Sequence, residues 1–176
     1  PALKVQAQLG GSLQALTLQA STSGFVIANI EGQVQALKAE LPAQLTVKIP
    51  QFTAPADVPE TLTVADVVLN LQGDMQAGYT LNAQALLPKT AEQMQLKLAA
   101  LLKTSGAQLQ VLRLSAGDEA FVALPGAVDW QQELQADAQL QWQDFPWHSL
   151  LGQDEIPVQL HTLTGQVKYQ AGAYQG

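Results

Sequence analysis

The chain has 176 residues and a formal net charge of −7, from 8 basic and 15 acidic side chains, which is enough for one domain with a core or one stretch of a longer repetitive structure. Only 13% of residues are charged against a norm of about 25%, while 47% are apolar, and 26 glutamines supply the missing polarity. No cysteine is present for disulfides or thiolate chemistry, and no run of Lys and Arg offers a footprint for nucleic acid. The charge-free stretch from Lys4 to Glu31 contains no apolar run longer than Phe25-Val26-Ile27-Ala28, far short of the ~20 residues of a membrane span.

In chain order, the dominant period is two, the mark of half-buried strands whose alternate side chains point to opposite faces. It runs through Leu3-Val5-Ala7-Leu9, Leu45-Val47-Ile49, Val67-Leu69-Leu71, Tyr79-Leu81-Ala83-Ala85, Leu96-Leu98, Leu134-Ala136-Ala138-Leu140-Trp142 and Val167-Tyr169. Turn signals separate these runs: Gly10-Gly11, Gly32, Gly73-Asp74, Ser105-Gly106, Gly117-Asp118, Pro125-Gly126 and Gly165. Short strands so spaced predict an all-β, mainly antiparallel sheet. The segment from Thr90 to Leu102 fits two readings. Thr90 and Gln93 could cap a helix with Met94, Leu98, Leu101 and Leu102 on one face, but Met94-Leu96-Leu98-Ala100-Leu102 also alternates, and flanking strands favour a strand. A short helical turn is expected at Pro146–Leu151, with Gly152 following.

The alternation slips by one residue at three places: Leu13-Ala15 to Leu16-Leu18-Ala20, Val34-Ala36 to Leu37-Ala39-Leu41, and Leu109-Val111 to Leu112-Leu114. On a flat sheet such a slip turns the apolar set outward, so bulges or sharp bends are expected, and with them strong curvature. The pattern apolar-x-Gly-x-apolar recurs at Gly32, Gly73, Gly126 and Gly165, at intervals that fit stacked strand-turn units. Pro1 and the strand-like run before Gly176 read as cuts from a longer chain, so residues 1–176 are expected to be a single repetitive β segment.

Glycine-led strands, phase-slipping Leu/Gln alternation and the run Gly126-Ala127-Val128-Asp129-Trp130 leading to Leu140-Gln141-Trp142-Gln143-Asp144-Phe145-Pro146-Trp147 resemble the TamB proteins. These are the inner-membrane subunits of the bacterial translocation and assembly module, with AsmA-like relatives. The resemblance implies an elongated, U-folded sheet with an apolar inner groove in a periplasmic protein anchored in the inner membrane. It also implies a TamA-like outer-membrane barrel as partner of the parent protein, and work in outer-membrane protein assembly or lipid movement between membranes.

Catalysis is not expected. His148 adjoins Ser149 without a nucleophile elbow, and the pairs Asp118-Glu119 and Asp154-Glu155 read as solvated turn residues. No calcium, zinc or phosphate motif implies a metal or cofactor. The candidate groove lining is Val47, Ile49, Val67, Leu69, Leu71, Leu81, Leu98, Leu134 and Leu140, with lipid acyl chains or an unfolded outer-membrane protein as the expected occupant. Trp130, Trp142, Phe145 and Trp147 either plug the end of a strand layer or form a groove mouth or contact patch. The alternative to a groove is a closed core in a spacer or docking module that pairs through its edge strands.

Overall fold

The computed structural model describes residues 3–24, 26–52, 59–151 and 159–170. Twelve strands form one antiparallel sheet. They are β1 (Lys4–Ser12), β2 (Ala15–Ser23), β3 (Val26–Val34), β4 (Ala43–Phe52), β5 (Val64–Asp74), β6 (Gly78–Leu87), β7 (Met94–Lys103), β8 (Gly106–Ala116), β9 (Ala120–Ala123), β10 (Gly126–Asp129), β11 (Gln135–Gln143) and β12 (Thr162–Gln170). A 3-10 turn at Glu60–Leu62 and a one-turn helix α1 (His148–Leu151) are the helical elements among the described residues. Strands β1 to β8 follow one another as a meander. Beyond β8, the short β9 and β10 lie end to end, both pairing with β8 on one side and β11 on the other, so the sheet is eleven strand positions wide. Pro125 explains the break between them, because it cannot donate to the ladder. Flanking groups keep the gap bonded: Leu124 N–H donates to the Leu112 carbonyl at 2.8 Å, and the Pro125 carbonyl accepts from Gln139 N–H at 2.8 Å.

The Thr90–Leu102 segment resolves as β7. Instead of capping a helix, the Thr90 hydroxyl donates to the Leu87 carbonyl at 2.7 Å and accepts from Met94 N–H at 2.9 Å, closing the β6–β7 turn. Met94, Leu96, Leu98, Ala100 and Leu102 then fall on one face, opposite Leu87, Ala85, Ala83, Leu81 and Tyr79 of β6. The expected helical turn is α1, with Ser149 N–H donating to the Pro146 carbonyl at 3.0 Å; Gly152 lies outside the described residues.

Of the three phase slips, one is a bulge. Ala99 faces Val111 but Ala100 faces Leu109, so Gln110 is the extra residue, and Leu109, Leu112 and Leu114 all keep the same face. The other two are chain reversals: Leu13 lies in the β1–β2 turn, and Leu37 and Ala39 in the β3–β4 loop. Two further bulges lie in the ladders that flank the β4–β5 pair, between β3 and β4 and between β5 and β6. Ile49 pairs with Val67 while the register shifts beside Pro50 on one side and beside Asp66, at φ 50°, on the other. Two turn expectations, at Gly32 and Gly165, are corrected. Gly10 and Gly11 lie at the end of β1, Gly11 at φ 81° just before the turn, and Gly32 and Gly165 sit inside β3 and β12, where Gly32 packs closely on Leu45 and Gly165 leaves open space.

The sheet's two faces differ in chemistry. In β11 exposed and half-buried residues alternate without a break, and register carries that alternation across the sheet. Gln33, Gln44 and Gln72 form one cross-strand row on the polar face, while Ile30, Val47, Leu69, Ala83, Leu98 and Leu112 form one on the other. Among the described residues no second sheet packs on either face.

Candidate functional site: the aliphatic face and its rims

Of the nine candidate lining residues, eight lie on the aliphatic face. Val47 faces Leu69, Ile49 faces Val67, Leu71 faces Leu81, and Leu98 joins Leu69 through Ala83. Leu140, three strand positions beyond Leu98, faces Gly165. All eight are half-buried, and none belongs to the fully buried set. Leu134 departs from the expectation: it precedes β11 and is 45% exposed. Small residues punctuate the face at Gly32, Ala83, Ala100, Gly126 and Gly165. At Gly126 the small size is obligatory, since a Cβ would come within 2.4 Å of the Asp137 carbonyl oxygen.

The two rims, where the strands turn, are built differently. At the rim holding the β6–β7 and β8–β9 turns, Met94 (0% exposed), Leu87, Ala116 and Phe145 form a buried cluster. Leu62 from the 3-10 turn, Leu150 from α1, and Trp142 and Trp147 pack onto it. The 3-10 turn and α1 touch, and the Thr61 hydroxyl donates to the Leu150 carbonyl. Trp142 meets Phe145 edge to face at 5.3 Å and donates its indole N–H to the Leu160 carbonyl at 2.9 Å. Trp142, Phe145 and Trp147 therefore pack together at this rim, burying aromatic area while the Trp142 indole N–H keeps a hydrogen-bond partner. Trp130 is on the opposite rim. Its backbone N–H donates to the Ser105 carbonyl at 3.0 Å, its indole to the Thr104 carbonyl at 2.9 Å, and it stays 45% exposed. The nine residues of β11, about 30 Å of extended chain, separate the two groups.

No catalytic constellation assembles among the described residues around the histidines. Ser149 donates its hydroxyl to the Glu92 carboxylate at 3.1 Å, and His161 pairs with Asp144 at 2.8 Å, both at exposed positions. Asp118 and Glu119 lie in the β8–β9 turn; Asp154 and Glu155 are outside the described residues. No cluster of three metal-ligating side chains is found among the described residues. One grouping was hidden in the sequence. Lys97 and Arg113, far apart along the chain, are cross-strand partners on the polar face of the β7–β8 hairpin, with Lys103 on the same face at its turn end, about 20 Å along β7; only the hairpin register joins Lys97 to Arg113.

Among the described residues the chain is a single-layer antiparallel sheet with one aliphatic and one polar face. The chain belongs to the TamB family: the model of the TamB N-terminal domain matches residues 1–176. No curated protein and no solved structure matches the chain. The family is an outer-membrane assembly and transport module rather than an enzyme family. Its members span the periplasm from an inner-membrane anchor and work with outer-membrane partners such as TamA. No helix among the described residues is long and apolar enough to cross a membrane.

Proposed function

We propose that residues 1–176 form one repetitive segment whose sheet curls around its aliphatic face into an open trough, and that the trough shields lipid acyl chains in transit between the inner and outer membranes. The observation that carries this reading is the half-burial of the long aliphatic rows in a sheet without a second layer among the described residues. A side chain on a flat, uncovered face would be exposed, and one in a closed sandwich would be buried. Intermediate burial fits walls that lean toward each other. The three bulges and the glycines on the aliphatic face supply the local means of bending. Ten intervals of about 4.8 Å give a trough about 48 Å long, against about 15 Å for the hydrocarbon of one leaflet. Burying an acyl chain of about 15 methylenes is worth on the order of 10 kcal/mol. The net charge of −7 gives anionic headgroups no attraction, so burial of the tails drives binding. An unfolded outer-membrane protein strand, with its own alternating apolar face, fits the same lining.

Photocrosslinking tests the reading. A crosslinker at Val47 should capture phospholipid in the unsubstituted chain, and Leu69→Asp with Leu81→Asp should abolish capture while circular dichroism still reports the sheet. Capture that survives both substitutions would defeat the trough. A second reading is favoured by β1 and β12, every residue of which is exposed: a spacer that pairs with neighbouring strands through its edges. It expects no lipid and an association that depends on those edges.

A further inference from the structure

The polar face carries a site that the trough does not use. On strands β2 to β6 one row of that face is amides, hydroxyls and one carboxylate, Gln19, Glu31, Thr46, Asn70 and Asn82, and the row beside it runs Asn29, Lys48, Val68 and Gln84. On β7 and β8 the next members of the first row are Ala99 and Val111, with Val111 38% exposed. Beside them Lys97 and Arg113 are direct cross-strand partners. Like charges so placed repel, and neither has a carboxylate within ion-pair reach among the described residues, where the salt bridges are Lys89–Glu60, His161–Asp144 and Lys168–Asp137. The Arg113 guanidinium lies 3.7 Å from the centroid of the Phe121 ring, a stacking that fixes its orientation. Next to this pair the sheet forms a concavity of about 330 Å³ lined by Val68, Ala99 and Val111, by the amides of Asn70, Asn82 and Gln84, and by Lys97.

We propose that this patch docks an acidic protein segment that carries an apolar side chain next to its carboxylates. A carboxylate between Lys97 and Arg113 removes their mutual repulsion and gains the forked donor geometry of the guanidinium. The amides of Asn70, Asn82 and Gln84 offer donors and acceptors for a peptide backbone. The apolar side chain covers Val111 and Ala99, which with Val68 form the apolar part of the concavity. A bilayer presents a broad, flat surface, whereas a narrow segment enters the concavity of about 330 Å³ and sets its carboxylate between Lys97 and Arg113.

The test is fluorescence anisotropy with the whole chain and two labelled peptides, one alternating Glu with Leu and one alternating Lys with Leu, at about 50 mM and about 500 mM salt. The acidic peptide should bind at least ~10-fold more tightly than the basic one at low salt and lose that advantage at high salt. K97E with R113E should reverse the preference, Val111→Ser should weaken binding by about 3-fold to 10-fold with an unchanged salt dependence, and Lys4→Glu on β1 should change nothing. The proposal is overturned if the acidic peptide has no advantage, or if K97E with R113E leaves it intact in a chain whose dichroism is unaltered. It is equally overturned if vesicles of anionic phospholipid bind with the same dependence on Lys97 and Arg113 while the peptides do not.

Discussion

Met94→Ala and Leu69→Ala each remove three heavy atoms from an apolar position, yet their environments differ, and the difference measures whether the aliphatic face is open. Met94 is 0% exposed in a cluster with Leu87, Ala116 and Phe145. Its truncation loses about 0.8 kcal/mol per carbon-sized group, about 2.4 kcal/mol in all. It also leaves an unfilled volume on the order of 70 Å³, adding about 1.7 kcal/mol at about 24 cal/mol per Å³. The sum is about 4 kcal/mol, or a melting temperature lower by roughly 8–16 °C for a domain of this size. Leu69 is half-buried beside Val47 and Ala83. On an open face its truncation leaves no cavity and loses only part of the transfer free energy, about 1.5 kcal/mol. Urea unfolding of the two variants and the unsubstituted chain, followed by circular dichroism, gives both numbers. Equal losses of about 4 kcal/mol would refute the reasoning, because only a packed partner over Leu69 would make its site collapse as poorly as that of Met94.

Two further substitutions probe the frame. Gly126→Val should destabilise the chain by about 2–4 kcal/mol, because its Cβ would press on the Asp137 carbonyl and Ala138 Cα, whereas Gly165→Ala, with nothing within 4 Å, should stay within about 0.5 kcal/mol in the same urea titration. Thr90→Ala deletes both hydrogen bonds that close the β6–β7 turn and leaves the Met94 N–H unpaired beside a buried core, so a loss of about 1–3 kcal/mol and faster hydrogen exchange at Met94 are expected.

The strands were legible because period-two alternation is a local property of the chain, readable wherever one face is wet and the other is not. The bulge at Gln110 was legible for the same reason: Leu109 and Leu112 can share a face only if one residue between them is skipped. The slips at Leu13 and Leu37 look identical in sequence yet are turns, since a chain reversal and a bulge both displace the pattern by one residue. The bulges beside Pro50 and Asp66 passed unread, although a proline inside a strand and an aspartate between Ala65 and Val67 were available signals. The Trp cluster was the clearest illusion of proximity. Trp130 and Trp142 are twelve residues apart, but a strand is rigid and extended, so it carries them to opposite rims.

The sequence by itself determined the alternating strands, a mainly antiparallel sheet and the division of the chain into a glutamine-rich and an aliphatic face, because side-chain alternation is local and short turns between strands make neighbours antiparallel. Tertiary structure alone decided which residues of different strands stand together. Register placed Leu69 against Val47, folded Phe145 and Trp147 over Met94 at one rim, and brought Lys97 against Arg113 in a chain that shows no basic cluster when read along its length. The physical reason is that cross-strand neighbours are fixed by turn lengths and bulges. One residue added or removed there re-pairs every side chain downstream while leaving the local pattern unchanged.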